Sequence, residues 1–270
     1  MRRALVLGSG AVAGALWQAG MVEGLRRAGT DLGAADLVTG CSAGAYVAAL
    51  LAHGADLPRV VADLAAARPP HEDSGQVDRL ARLYDTLGVL ADDSFPPGER
   101  RRRVGAAAVR ADTADGTARI NGLIDRLPAR DWPDRPLLLP AVDVASGDRV
   151  VWRRGGAAPF EPALRAAVAT PTMFPPVEIA GRRYMDGAVY SHTHADLAAG
   201  HERVVVLAPM RQLQSDAGSA AATVVGPDAE AAEVFDIELF DQFPGMASYE
   251  AGLRQAAVQA PAVARAWSGS

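Results

Sequence analysis

Hydrophobic and polar positions along the N-terminal stretch fall into one pattern, used twice. Arg3 to Leu7 is a short apolar run that ends in glycines, which predicts a buried strand. Gly8, Gly10 and Gly14 then turn the chain into a helix over about Ala13 to Ala28, with Gly29 as its stop. Leu37 to Thr39 predicts a second strand. Gly40-Cys41-Ser42-Ala43-Gly44 follows, and a second helix runs from about Ala43 to His53. Strand–turn–helix, repeated, argues for a parallel sheet covered by helices.

Further along, the pattern changes. From about Asp56 to Arg130 the apolar spacing is helical, broken at Pro69-Pro70, Pro96-Pro97 and Asp115-Gly116, and no strand signal appears. This stretch predicts either a helical cap (56–130) or outer-layer helices within a single domain spanning 1–270. Strand signals return at Pro136 to Val142 and Arg149 to Trp152, joined by Ser146-Gly147-Asp148. Phe160 to Ala169 predicts a helix, and Pro171, Pro175 and Pro176 a rigid loop. Val177 to Ile179 and Arg183 to Met185 predict a short hairpin around Ala180-Gly181. Arg203 to Leu207 predicts a last buried strand. Residues 212–226, rich in Ala, Ser, Gly and Thr, predict a mobile connection, and a final helix spans about Ser248 to Trp267. No internal repeat is visible.

Composition narrows the chemistry. The 270-residue chain is 49% apolar with a formal net charge of −5, which suits one large α/β domain and offers no basic face for nucleic acid. All 27 basic residues are arginines. The absence of lysine excludes a Schiff-base lysine, a Ser–Lys dyad and a phosphate-loop lysine. Arg100 to Arg103, the only basic run, reads as a solvated helix face. Cys41 is the only cysteine, so no disulfide framework exists within the chain, in keeping with a cytoplasmic location. Arg2 and Arg3 ahead of an apolar run imitate a secretory leader, but the glycine spacing fits strand–turn–helix better. No apolar run is long enough for a transmembrane helix. No metal site and no cofactor are expected.

Three short segments carry candidate chemistry. Gly40-Cys41-Ser42-Ala43-Gly44 is a G-x-S-x-G between a strand and a helix. A sharp strand-to-helix turn of this kind exposes the serine hydroxyl, and flanking glycines make room for it. The helix that follows favours developing negative charge at its N-terminus. Cys41 beside the serine reads as a small core residue rather than a thiol nucleophile. Gly8-Ser9-Gly10-Ala11 lies in a similar place after the first strand. It reads either as an oxyanion hole of backbone N–H groups or as a dinucleotide fingerprint with Asp31 or Asp36 on the ribose. The third segment, Asp186-Gly187-Ala188, offers a carboxylate that could accept a proton from Ser42. Alone, an Asp-Gly pair is an ordinary turn.

Taken in this order, the three segments resemble the patatin-like phospholipases. The likeness covers Leu5 to Leu51 and Pro140 to Pro209. It includes Ala169-Thr170-Pro171, Phe174-Pro175-Pro176 and Arg183-Tyr184-Met185-Asp186-Gly187. It implies a three-layer α/β/α fold with a mostly parallel central sheet and a helical insertion. It also implies Ser42 as nucleophile and Asp186 as its base without a histidine, with Gly8, Ser9, Gly10 and Ala11 forming the oxyanion hole. The chain departs from the family in three places. Ala13 stands where many members have a basic residue, Ala11 replaces a frequent glycine, and His192 and His194 occupy positions expected to be small or amide. The two histidines are read as packing or surface residues, with substrate contact or assistance to the dyad as the alternative.

The expected reaction is therefore hydrolysis of a carboxylic ester, with lipid acyl esters favoured as substrate, through an acyl-enzyme on Ser42. Three rivals remain. An acyltransferase or cyclase would use the same dyad with another acceptor. An α/β-hydrolase would use Ser42, Asp143 and His201, although it needs more sheet ahead of the nucleophile strand than this chain has. A nicotinamide-dependent oxidoreductase would be built on the Gly8 loop.

Overall fold

The computed structural model describes residues 1–66, 76–210, 222–238 and 246–268. Among them, eight strands form one sheet: β1 (Arg3–Leu7), β2 (Leu37–Gly40), β3 (Leu137–Asp143), β4 (Arg149–Trp152), β5 (Val177–Ile179), β6 (Arg182–Asp186), β7 (Arg203–Leu207) and β8 (Ala222–Val225). The order across the sheet is β5-β6-β3-β2-β1-β7-β8, with β4 antiparallel to β3. From β3 to β8 the neighbours are parallel; β5 and β6 are antiparallel. This is a three-layer α/β/α sandwich.

Alternation along the central strands sorts side chains between the two faces. Leu5, Leu7, Val205 and Leu207 point into the larger core, and Ala4, Val6, Val204 and Val206 into a smaller one. The larger core is covered by α1 (Ala11–Arg27), α2 (Ala43–Ala52), α7 (Phe160–Ala167) and α9 (Ala247–Ser268). Helix α2 is buried from Gly44 to Ala52, as an apolar helix without a polar face must be. The Trp17 indole in α1 donates to Gln255 of α9 at 2.9 Å and meets Phe235 edge-on, so Phe235 is a core residue. Met246 packs against the same core, while Phe240 and Phe243 lie outside the described residues. Trp152 packs edge-on against Tyr184, and Trp132 against Phe160.

Between β2 and β3 lie α3 (Leu57–Ala66), α4 (Gln76–Gly88), α5 (Pro97–Arg110) and α6 (Ala114–Ile124). Leu57, Val61, Ile120 and Ile124 join the main core, and Val104 of α5 joins a third cluster with Val142 and Met185. Through these residues α3, α5 and α6 pack against the cores that line the sheet.

Two expectations are corrected. Part of the stretch expected to be mobile is β8, paired in parallel with β7 from Ala222 to Val225; residues 212–221 lie outside the described residues. A helix unseen in the sequence, α8 (Ala229–Glu238), precedes α9.

Candidate active site

The Gly8 loop and the turn at Ser42 emerge at the carboxyl ends of adjacent parallel strands, where Leu7 and Gly40 are register partners. Beyond β1 the next strand comes from late in the chain, so this edge is a topological switch point, the usual place for a ligand crevice in such sheets.

Ser42 is the N-cap of α2, at φ 55° and ψ −126°. That backbone is strained for any residue with a side chain, typically by about 1–3 kcal/mol, and persists only where neighbours enforce it. Here they do. Cys41 N–H donates to Leu7 O at 3.1 Å, Ser42 N–H to Ala167 O at 3.0 Å, and Ala45 N–H to Ser42 O at 2.9 Å. A methyl group on Gly40 would lie 2.2 Å from Gly44 O, and one on Gly44 2.2 Å from Leu7 O. Both positions therefore require glycine. The Cys41 side chain turns into the interior, with Sγ 3.4 Å from Ser191 O.

Asp186 ends β6 with 1% of its surface exposed. Its Oδ1 accepts from Ala188 N–H at 2.8 Å, and its Oδ2 from the Thr170 hydroxyl at 3.1 Å. Burial pushes the carboxyl pKa up to about 6, against the pull of the Ala188 amide, the Ser42 hydroxyl and the Thr170 hydroxyl. The Ser42 hydroxyl thus faces Asp186 and favours its charged form. Contacts between nucleophile and base often tighten only when substrate binds.

The oxyanion-loop expectation is narrowed. Gly8 N–H is taken by Leu207 O at 2.9 Å and Ser9 N–H by His192 O at 2.8 Å, so neither can serve a substrate oxygen. The amides of Gly10 and Ala11 have no partner among the described residues, nor does that of Ala43, beside the serine. Ala11 adopts φ 51°, a left-handed conformation that alanine tolerates poorly. The loop is fastened from behind: Gln18 Nε2 donates to Gly8 O at 2.7 Å, and the Ser9 hydroxyl pairs with His192 Nδ1 at 2.7 Å.

The two flagged histidines part company. His192 is half-buried against the Gly8 loop. His194 is fully buried, with its ring between Gly187 O and Arg149, so substrate contact is withdrawn for it. The Ser–Asp–His rival also fails. Asp143 is held by Arg182 at 2.6 Å and by the turn amides of Ala145 and Ser146. His201 lies near Asp36, which is bonded to Arg3 at the opposite end of β1. Gln18 escaped sequence reading, and Thr170 entered it only within the Ala169-Thr170-Pro171 likeness, with no role of its own. A glutamine two helical turns beyond a Gly-rich loop is the signal that existed for Gln18.

The Patatin family, described as patatin-like phospholipase, matches residues 5–199. No curated protein matches the chain. Two solved structures resemble it. One is VipD from Legionella pneumophila (14% identity, 87% of this chain and 53% of that one, TM-score 0.42). The other is the type III effector protein ExoU (18% identity, 95% of this chain and 53% of that one, TM-score 0.34). The chain spans about half the length of each.

Proposed function

Because the chain belongs to the patatin-like phospholipase family, we propose that it is a serine lipid acyl hydrolase working through an acyl-enzyme on Ser42 with Asp186 as base. One observation carries this reading: Ser42 sits in a strained elbow facing a buried carboxylate, at the same sheet edge as the amides of Gly10, Ala11 and Ala43, which have no partner among the described residues. Family membership displaces the nicotinamide reading of the Gly8 loop.

In the proposed reaction, Asp186 takes the proton from Ser42 Oγ as Oγ bonds to the acyl carbon. The carbonyl oxygen becomes an oxyanion held by the Gly10 and Ala11 amides, with Ala43 N–H as a further donor at the start of α2. Donors of this kind each lower such barriers by about 2.7–4 kcal/mol. The tetrahedral intermediate collapses, the C–O bond to the alcohol breaks, and Asp186 returns its proton to the leaving oxygen. Water, deprotonated by Asp186, then attacks the acyl-enzyme and releases the acid and free Ser42.

Hydrolysis is preferred to acyl transfer because the family is described as phospholipase. The chain is proposed as one domain, with α3 to α6 as part of its outer layers, in the cytoplasm. No helix among the described residues is long and apolar enough to cross a membrane. The reading is tested by mass spectrometry after a fluorophosphonate probe, together with ester turnover in Ser42→Ala and Asp186→Asn. Labelling at Ser42 and loss of turnover in both variants are expected; undiminished turnover in either ends the assignment.

A further inference from the structure

The peptide unit between Gly187 and Ala188 is gripped at both ends. Its N–H, on Ala188, donates to Asp186 Oδ1 at 2.8 Å. Its carbonyl, on Gly187, accepts from Tyr190 N–H at 2.9 Å and Ser191 N–H at 3.2 Å and lies 2.9 Å from His194 Nε2. A carbonyl only accepts, so Nε2 carries a proton. The other ring nitrogen, Nδ1, lies 3.4 Å from Arg149 Nη1, and a guanidinium only donates. Nδ1 is therefore placed to accept, and the geometry assigns a ring proton to Nε2. Arg149 is itself paired with Asp196 at 2.8 Å. The chain of contacts runs Asp196, Arg149, His194, the 187–188 peptide, Asp186.

The His194 ring is held in one orientation. Its backbone is left-handed at φ 55°, its amide donates to Ser191 Oγ at 3.0 Å, and it stacks on Tyr190 at 5.9 Å between ring centroids. A methyl on Gly187 would lie 3.1 Å from His194 Nε2 and 2.5 Å from Pro140 O, so the peptide is packed tightly on both sides.

We infer that His194 is a positioning residue for Asp186, acting through the Gly187–Ala188 peptide with Arg149 behind it. A proton donor on Gly187 O draws electron density toward that oxygen, which makes the N–H of the same peptide a stronger donor. A stronger donor at Oδ1 favours the ionised carboxylate, the form that accepts the Ser42 proton. The charged and titratable groups facing this chain are Arg149 and Asp196 on the Nδ1 side and Tyr190 on the ring face, with Arg101 over Tyr190 at 4.6 Å. At the far end, Asp186 meets the Ser42 and Thr170 hydroxyls. The inference rests on the Ser42–Asp186 reading.

The test is kcat and KM for ester turnover against pH in the parent protein, His194→Leu, His194→Gln and Arg149→Met. Leucine removes the side-chain donor and leaves only the Tyr190 and Ser191 amides on Gly187 O, so the acid limb is expected to rise by roughly half to one pH unit. That costs about three- to tenfold in rate on the acid side and recovers toward pH 8, with KM little changed. Glutamine carries an N–H to nearly the same point and is expected to restore the parent limb. Arg149→Met, at a partly exposed position, is expected to shift the limb in the same direction by less. A limb unmoved in both His194→Leu and Arg149→Met, or an equal loss at every pH, overturns the inference and leaves His194 as packing alone. Should His194→Leu not fold, an unmoved limb in Arg149→Met overturns it instead. Ser42→Ala and Asp186→Asn are run alongside. Full turnover in either removes the dyad reading and this inference together, whereas inactive controls with an unmoved limb remove this inference alone.

Discussion

Ala167 and Ala169, two residues apart at the end of α7, offer their carbonyls to the two halves of the candidate dyad: Ala167 O accepts Ser42 N–H at 3.0 Å, and Ala169 O accepts Asp186 N–H at 3.0 Å. One short segment therefore sets the spacing between residues far apart in sequence. The next residue, Thr170, adds its hydroxyl to Asp186 Oδ2. This explains how a turn with no chemistry of its own fixes the geometry of the site.

Thr170→Val tests that role. The substitution keeps the side-chain shape and deletes one donor to a carboxylate that needs donors to stay ionised while buried. Because that donor lowers the Asp186 pKa, its loss raises it. The acid limb of kcat/KM should move to higher pH, with a loss of up to about tenfold on the acid side and little change in alkaline solution. Thr170→Ser should retain the parent profile. A pH–rate series over both variants checks this.

The raised pKa of Asp186 has a consequence for stability, with a definite sign. A carboxyl whose pKa is higher folded than unfolded binds its proton more tightly in the folded state. The resulting stabilisation is complete below the unfolded value near 3.8 and is lost as pH rises through about 6. At pH 8 the folded protein holds a buried charge, and folding is less favourable than below pH 3.8 by on the order of 3 kcal/mol. Asp186→Asn should therefore raise Tm relative to the parent at pH 8, and the advantage should shrink below pH 4. Thermal unfolding of both proteins at the two pH values measures it; an equal difference at both would contradict the desolvation argument.

Much of the site was legible because its requirements are local. Gly40 and Gly44 are needed where the chain passes within touching distance of itself, and Asp186-Gly187 is needed where a strand ends in a tight turn. Those demands leave marks in sequence. Thr170 leaves no mark of its role and Gln18 only its place two turns into α1, since each acts on a partner that only the folded sheet brings near: Asp186 at the end of β6 for one, Gly8 back along α1 for the other. The same holds for β8. Ala222 to Val225 is short and flanked by small residues, and only its pairing with β7 makes it a strand. Composition also misled at Gly8 and Ser9, whose amides turn inward to Leu207 and His192 for reasons of tertiary contact alone.

Gln18→Leu separates support of the oxyanion loop from overall folding. Its amide nitrogen reaches both Gly8 O at 2.7 Å and Leu207 O at 3.4 Å, while Oε1 is buried without a partner among the described residues. Leucine removes the orphaned acceptor along with the donor, and leaves two carbonyls less well served. Stability should change by about 1–3 kcal/mol at most. The effect on kcat should be larger than that on KM, because a displaced Gly10 or Ala11 amide matters most when charge develops on the substrate oxygen. Denaturant unfolding and steady-state kinetics on one preparation distinguish the two effects.

His201→Ala discriminates between the dyad and a Ser–Asp–His triad by a single measurement. His201 Nδ1 contacts Ala198 O at 3.1 Å, and its electrostatic influence falls on Asp36, at the amino end of the central strands. Ser42 lies past their carboxyl end. A triad would also need Asp143 free to orient an imidazole, but that carboxylate is engaged by Arg182 and by two turn amides, and Arg182 and those amides hold its pKa below the usual carboxylate value despite burial. Ester turnover in His201→Ala should therefore stay within about twofold of the parent, since the change is a surface substitution away from the reacting atoms. Asp143→Asn should act on stability, through the loop it ties, before it acts on kcat. A fall of about a thousandfold or more in kcat for His201→Ala, the scale expected on losing a general base, would restore the triad and displace Asp186.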